Sequence, residues 1–289
     1  MIRFTNKSLI LSFATTLFIL SIGFHIPTVS ADVIKEKRTE TPPPSLETLQ
    51  EIEGTNIIEK IKEPEKDKLQ LRINALQEAA FSYGARGGLA WRTYFIRKEL
   101  VTKNDYLDRI YSFRQLLIPA PSGFLIEPPI VSEALNAQII EKGGLQAAVT
   151  DRVYNISKNA KIVSAARDWR VYLERDWGTV EPPPEILRPA SKEERKQWRI
   201  WVAKGWEEGL KQADDIFEQD LNRLTADYLG MVRYRKMLAQ NMVSLPYALQ
   251  TDRGVTGGGN ELKIGDRAVE ITGLPSLTSG YNQWRPASR

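Results

Sequence analysis

The feature that most limits the fold is one amphipathic run from Ser191 to Met242. Trp198, Trp201, Val202, Trp206, Leu210, Ala213, Phe217, Leu221, Leu224, Tyr228, Met231, Leu238 and Met242 recur at helical steps. That spacing gathers them on one face of an α-helix. Ser191 with Glu194 three residues on is a capping box, which marks the start. Glu207 with Lys211, and Lys211 with Asp215, set opposite charges one turn apart on the other side, each pair contributing about 0.3 kcal/mol at most. Continued to Met242, about 50 residues at 1.5 Å each reach roughly 75 Å. One globular core does not need so long a helix, and long helices often serve assembly. If the helix is interrupted, Gly230 is a plausible place for it. Asp220 falls on the apolar arc, and the sequence offers no reason for a charge there.

The rest of the chain reads as shorter elements. From Lys66 to about Lys103 the period is helical through Leu69, Ile73, Leu76, Ala80 and Tyr83. Gly84, Gly87 and Gly88 predict a break, after which Ala90, Trp91, Phe95 and Leu100 resume the pattern. Tyr106 to Ile118 predicts a short helix ended by Pro119 and Pro121, followed by an irregular block to Pro129. Residues 146–163 read as a β-hairpin or two short strands, and 165–177 as a helix with Trp169, Leu173 and Trp177 four apart. Pro182, Pro183, Pro184 and Pro189 make a hard linker. Near the C-terminus, residues 262–264 and 268–271 flank Gly265 and Asp266, a tight-turn pair. Gly257, Gly258 and Gly259 read as a flexible approach, and the stretch from Leu274 onward as a surface tail. The expected fold class is α+β, predominantly helical, with a long central-to-C-terminal helix and small antiparallel β-hairpins.

The first 31 residues read as a secretory signal. Arg3 and Lys7 precede a mostly apolar run from Leu9 to Phe24, Pro27 breaks it, and Val29, Ser30 and Ala31 form a cleavage site. The rival reading is an uncleaved anchor, for which the run is short of the roughly 20 apolar residues a span needs. Cleavage after Ala31 removes two basic and no acidic residues, taking the formal charge from +4 to +2. Such a balance does not point to a nucleic-acid surface. Residues 32–65, with Pro42, Pro43, Pro44 and scattered charges, carry too little apolar surface to offset the entropy of ordering and read as a flexible arm. The domain proper is expected over 66–289.

The missing residue types narrow the chemistry. There is no cysteine, so no disulfide, thiolate metal site or thiol nucleophile, and the one histidine, His25, lies in the signal. Ser-His-Asp catalysis and histidine metal clusters drop out together. No phosphate-binding loop or GxGxxG occurs, and Gly84 to Gly88 has the wrong context for one, so close helix packing or a kink is the ordinary reading there. Glu207, Glu208, Asp214 and Asp215 are the carboxylates a glycosidase-like reaction would use. They lie on the polar face, where a solvated surface is the ordinary explanation. Trp198, Trp201 and Trp206 read as core, with a sugar platform as the alternative. Gly205 and Gly209, four apart, would let another helix approach closely.

Five blocks carry a family likeness. They are residues 79–92, Tyr106 to Tyr111, Trp201 to Trp206, Tyr234 to Ser244, and Gly254 to Gly257. In this order, over about 66–285, the chain resembles DotC-type proteins, the TraI of IncI-like conjugative plasmids, from type IVB secretion systems. The resemblance implies a periplasmic, non-enzymatic component of the outer-membrane core complex. It implies a ring-like multimer with DotD-like lipoprotein and DotH-like channel partners, and indirect association with the outer membrane. It carries over no catalytic residue; with no His or Cys cluster, no nucleotide motif and a near-neutral mature charge, no metal, cofactor or direct nucleic-acid contact is expected either. Many members bear a lipid on a cysteine after the signal, whereas here Ala31 and Asp32 stand at that point.

Two knots of residues are the interaction or packing candidates: Tyr83, Gly84, Arg86, Gly87, Gly88 and Trp91, then Tyr234, Arg235, Gln240 and Asn241. Both read as contact surface or, slightly more readily, as fold-determining core. The leading expectation is a structural subunit of a secretion or conjugation machine. The alternatives are a periplasmic carboxylate-dependent cell-wall hydrolase and a periplasmic ligand-binding protein with a deep cleft.

Overall fold

A computed structural model describes residues 41–54, 66–141 and 146–286. The expected signal segment lies outside the described residues. The elements in order are α1 (Leu46–Gln50), α2 (Lys66–Thr102), α3 (Asn104–Ile110), β1 (Ile118–Pro119), β2 (Leu125–Glu127), β3 (Ile130–Glu141), β4 (Gln146–Lys158), β5 (Lys161–Val163), α4 (Arg170–Leu173), α5 (Lys192–Ala239), β6 (Tyr247–Gly258) and β7 (Glu261–Gly273). The α+β class, with its long helix and small antiparallel sheets, is as the sequence reads.

Two long helices set the frame. Arg72 bonds Glu194 and, five turns later, Arg92 bonds Asp214, so α2 and α5 run side by side in the same direction. A parallel pair cannot be closed by a tight turn. The chain must travel back between Thr102 and Lys192, and that return carries α3, α4 and five of the seven strands.

The capping box is formed as expected. Ser191 Oγ accepts the Glu194 amide at 3.1 Å, and Glu194 Oε2 accepts the amides of Ala190 at 2.8 Å and Ser191 at 3.4 Å. Arg72 Nε donates to Glu194 Oε1 at 2.9 Å, which ties the cap of one helix to the side of the other. Burial pushes the Glu194 carboxyl up, but the Arg72 guanidinium and the two amides outweigh it and hold the group below its ordinary 4.5. A lowered folded value contributes stability that is complete above the unfolded value and is lost as pH falls from 4.5 through the lower folded value. In urea melts from pH 7 to 3, Glu194→Gln should therefore flatten the acid loss, and Ser191→Ala should cost about 1 kcal/mol at pH 7.

From this cap α5 runs 48 residues without a break, roughly 72 Å. Gly230 does not interrupt it. That glycine sits under the start of β3, where a Cβ would lie 2.5 Å from Ile130 Cγ2. Asn241, with φ of 58°, takes the left-handed position that ends the helix.

Several expectations need correction. Gly84, Gly87 and Gly88 do not break the first helix; α2 passes through them for 37 residues. Their purpose is contact with α5, described below. The predicted helix over 165–177 shrinks to the single turn of α4. Trp169 and Leu173 still bury on that turn, while Arg175 beyond it reaches to Asp220. The block before Pro129 is not wholly irregular: β1, β2 and β5 make a three-stranded antiparallel sheet. The strand over 146–158 pairs with the upstream β3 rather than within 146–163.

In the last hairpin, Gly265 and Asp266 lie inside the continuous β7, opposite Gly254, at a register shift. The turn is Gly259 with Asn260, so the glycine run is the hairpin's tip and not its approach. Both sites have a positive-φ glycine (Gly259 at 63°, Gly265 at 72°), and a bulge and a turn ask for the same residue. The C-terminal stretch returns to the helix end, where the Arg285 amide donates to Gln240 O at 2.9 Å and Leu277 bridges Val243.

The arm is also corrected in part. Residues from Pro42 belong to the same unit as the body. Leu49 on α1 is fully buried against Tyr83, Trp198 and their neighbours, and its carbonyl accepts Trp198 Nε1 at 3.1 Å. Leu46 and Ile52 pack beside Leu49, and Gln50 Nε2 donates to Arg199 O at 3.1 Å, so this five-residue helix is held at several points. Among the described residues no helix is long and apolar enough to cross a membrane.

Candidate functional site

The buried stripe of α5 meets three different neighbours along its length, and the first and last of these meetings place the candidate residues. Near the start, Leu76, Ala80 and Tyr83 of α2 pack on Trp198, Val202 and Trp206. Here the two backbones touch. A Cβ on Gly84 would lie 2.2 Å from Val202 O, and one on Gly88 2.3 Å from Trp206 O. From the other side, a Cβ on Gly205 would lie 2.1 Å from Phe81 O, and one on Gly209 2.1 Å from Ala85 O. Gly87 makes room for Leu49 and the Trp206 ring. Five glycines, three on one helix and two on the other, thus form a single close crossing.

Trp91 stacks at a tilt on Trp206, 5.9 Å between ring centres. Tyr83 is buried beside Trp198, and burial pushes its hydroxyl pKa up. Of this first knot Arg86 alone is exposed, facing the Pro182–Pro184 segment across a shallow cleft. Trp198 and Trp206 are core residues, not an open platform.

The second knot lies at the far end of α5, roughly 40 Å away by helical rise, so the structure does not join the two. Tyr234 is fully buried with Val131, Met237 and Val243, and its hydroxyl donates to Ser244 O at 3.0 Å. Burial raises its pKa to about 12. Gln240 and Asn241 form the helix stop, with Asn241 Nδ2 donating to Gln283 O at 3.5 Å. Arg235 points into solvent. Its neighbour Arg233 instead clamps β3, donating to Val131 O at 2.6 Å and to Glu133 at 3.2 Å.

Between them is a polar cluster that the sequence reading missed. Glu127, Asp220 and Asp227 are all buried. Arg167 binds both oxygens of Glu127 and reaches Asp227 Oδ2 at 3.2 Å. Lys158 Nζ lies 2.9 Å from both Asp227 oxygens, and Tyr172 Oη donates to Asp227 at 2.8 Å. Burial lifts the Tyr172 pKa to about 12, so it remains a neutral donor. Arg175 binds both oxygens of Asp220. This is the reason for the charge on the apolar arc: a buried carboxylate persists when an arginine fork meets it. The signal was available, because Asp227 stands seven residues after Asp220 on the same stripe.

The four carboxylates considered for hydrolysis do not converge on a cleft. Glu207, Glu208, Asp214 and Asp215 are exposed, and Asp214 is held by Arg92 at 2.7 Å. The hydrolase reading keeps none of its candidates.

Two features face outward. The β3–β4 and β6–β7 pairs are each two-stranded, 12 or 13 residues per strand, with no third strand among the described residues. On β6–β7, Val255 pairs with Ile264 and Gly257 with Leu262. Val255, Leu262 and Ile264 share a face near the tip and are 63%, 68% and 80% exposed.

No curated protein matches the chain. A family model described as type IV secretory system, conjugal DNA-protein transfer, matches residues 70–286. That span takes in both long helices, the crossover between them and the last hairpin, and on it the chain belongs to the TraI family of type IV secretory systems.

Proposed function

We propose that this protein is a non-enzymatic structural component of the outer-membrane core complex of a type IVB system. In this reading it is exported to the periplasm, joins a multimeric ring and positions the channel with DotD-like and DotH-like partners. The observation that carries the reading is the exposed apolar tip of β6–β7 on a ribbon with two open edges. A long isolated hairpin is at best marginally stable in water. Its unpaired strand edges are templates for another chain. Three large aliphatic side chains side by side at such a tip are costly unless something covers them. The rest of the body supports the same role, since a parallel helix pair in close backbone contact makes a stiff frame.

The test is affinity purification of the tagged chain from detergent-solubilised envelopes, wild type against Val255→Asp with Ile264→Asp. Both residues are on the surface, so circular dichroism and the melting temperature should be unchanged. The variant should retain less than about a tenth of the co-purifying partners, the equivalent of at least 1.4 kcal/mol of binding. Equal recovery of partners from both would remove the hairpin from the assembly surface. Recovery of no envelope partner by the wild type would overturn the proposal.

A further inference from the structure

The polar cluster around Arg167 carries more positive charge than its fold needs. Glu127 is fully met by the Arg167 fork, and Asp227 by Arg167, Lys158 and Tyr172. Two further cations border the same place. Lys161 Nζ is 3.6 Å from Glu127, and Arg223 Nη2 is 3.6 Å from Asp220, whose oxygens Arg175 already holds. Neither makes a hydrogen bond to these carboxylates, and both are more than half exposed. Together with Lys158 and Arg167 they ring a hollow of about 450 Å³. Val163, Ala165, Ala166 and Val171 form its apolar wall, with the Tyr172 ring beneath Arg223.

We propose that this hollow is a binding site for a dianionic phosphate group. Four cations and two carboxylates line it, which leaves a surplus of two positive charges in an open concavity with one apolar wall. Such walls concentrate the field of their charges on the hollow. Arginine and lysine at its rim supply the fork and the point charge that phosphate oxygens take. Arg167 is fixed by the buried carboxylates, so one side of the site is preformed. Lys161 and Arg223, more than half exposed and paired to carboxylates only at 3.6 Å, can turn from those pairs to close on the ligand. The surplus of two favours a phosphomonoester over a single carboxylate, and the apolar wall accepts the carbon adjoining it. The phosphate source is either a small soluble phosphate or the headgroup of a phosphorylated envelope lipid.

The experiment uses the folded chain without its signal, at low ionic strength, with inorganic phosphate as the first probe. Calorimetric titration should show saturable binding that an equal ionic strength of chloride does not reproduce. Lys161→Gln with Arg223→Gln should weaken it at least about tenfold, the effect of losing two charge-assisted bonds. Lys161→Gln alone breaks no hydrogen bond, so it is the arm in which folding is preserved, and it should weaken binding by about threefold to tenfold. Co-sedimentation with phosphatidic acid vesicles, against phosphatidylcholine vesicles, separates the sources. Charge-dependent capture by the acidic vesicles assigns a headgroup, whereas phosphate binding without capture assigns a soluble ligand. Phosphate binding no tighter than chloride, or unchanged in both variants, would overturn the site. So would vesicle capture that persists in the double variant.

Discussion

Alanine at Gly205 and Gly209 together should destabilise the protein by about 4 kcal/mol, although alanine is the better helix former by about 1 kcal/mol at each position. Propensity and packing here have opposite signs, and the distances decide. Each new methyl carbon would sit 2.1 Å from a backbone carbonyl oxygen of α2, and neither backbone can turn aside as a flexible side chain could. The helices must separate, and separation loosens Trp198, Val202 and Trp206 from Leu76, Ala80 and Tyr83. Gly258→Ala is the control, since a Cβ there meets nothing within 4 Å. Chemical denaturation of the three proteins reads the result directly. A gain of stability in the double variant would mean that the helices do not cross where the structure has them.

Arg167→Met should cost about 3–5 kcal/mol, because it strands buried charge. Glu127 would keep only Lys161, 3.6 Å away, while Asp227 would retain Lys158 and Tyr172. The loss should fall mainly on Glu127. Arg167→Met with Glu127→Leu should therefore recover most of the stability, since replacing both members of a buried ion pair by apolar groups is often close to neutral. A double variant no more stable than the single one would show that Arg167 acts through Asp227 or Tyr172 instead. The measurement is the same denaturation series, run as a double-mutant cycle.

The parts of this fold legible in the sequence are those set by local rules. The capping box and the apolar stripe of α5 follow from spacing alone, whereas Gly230 suggests a break and instead makes room for Ile130. What was not legible depends on partners distant in the chain. Gly84, Gly87 and Gly88 read as a break or kink or as a place of close helix packing; the packing is what forms, against Val202 and Trp206, partners more than a hundred residues away that the local pattern does not name. Asp220 looked anomalous until Arg175 met it, and Asp227 went unremarked although it obeys the same rule. Gly265 with Asp266 was a sound turn signal inside what proved to be a bulged strand. Leu49 was lost in a charged, proline-rich stretch whose composition argued for disorder. Of the candidate residues, Tyr83, Gly84, Gly87, Gly88, Trp91 and Tyr234 are held in packing, Gln240 and Asn241 end the helix, and Arg86 and Arg235 face solvent.

The most direct measurement is plasmid transfer frequency in a donor deleted for this gene and complemented with three alleles. Deletion should abolish transfer, and the wild type should restore it. An allele with Glu207→Gln, Glu208→Gln, Asp214→Asn and Asp215→Asn should restore it equally, because those side chains are exposed and their ion pairs contribute about 1 kcal/mol or less. The Val255→Asp with Ile264→Asp allele should fail at normal protein level. Undiminished transfer without the gene, or rescue by the hairpin allele together with failure of the carboxylate allele, would contradict a docking subunit and return the case to chemistry.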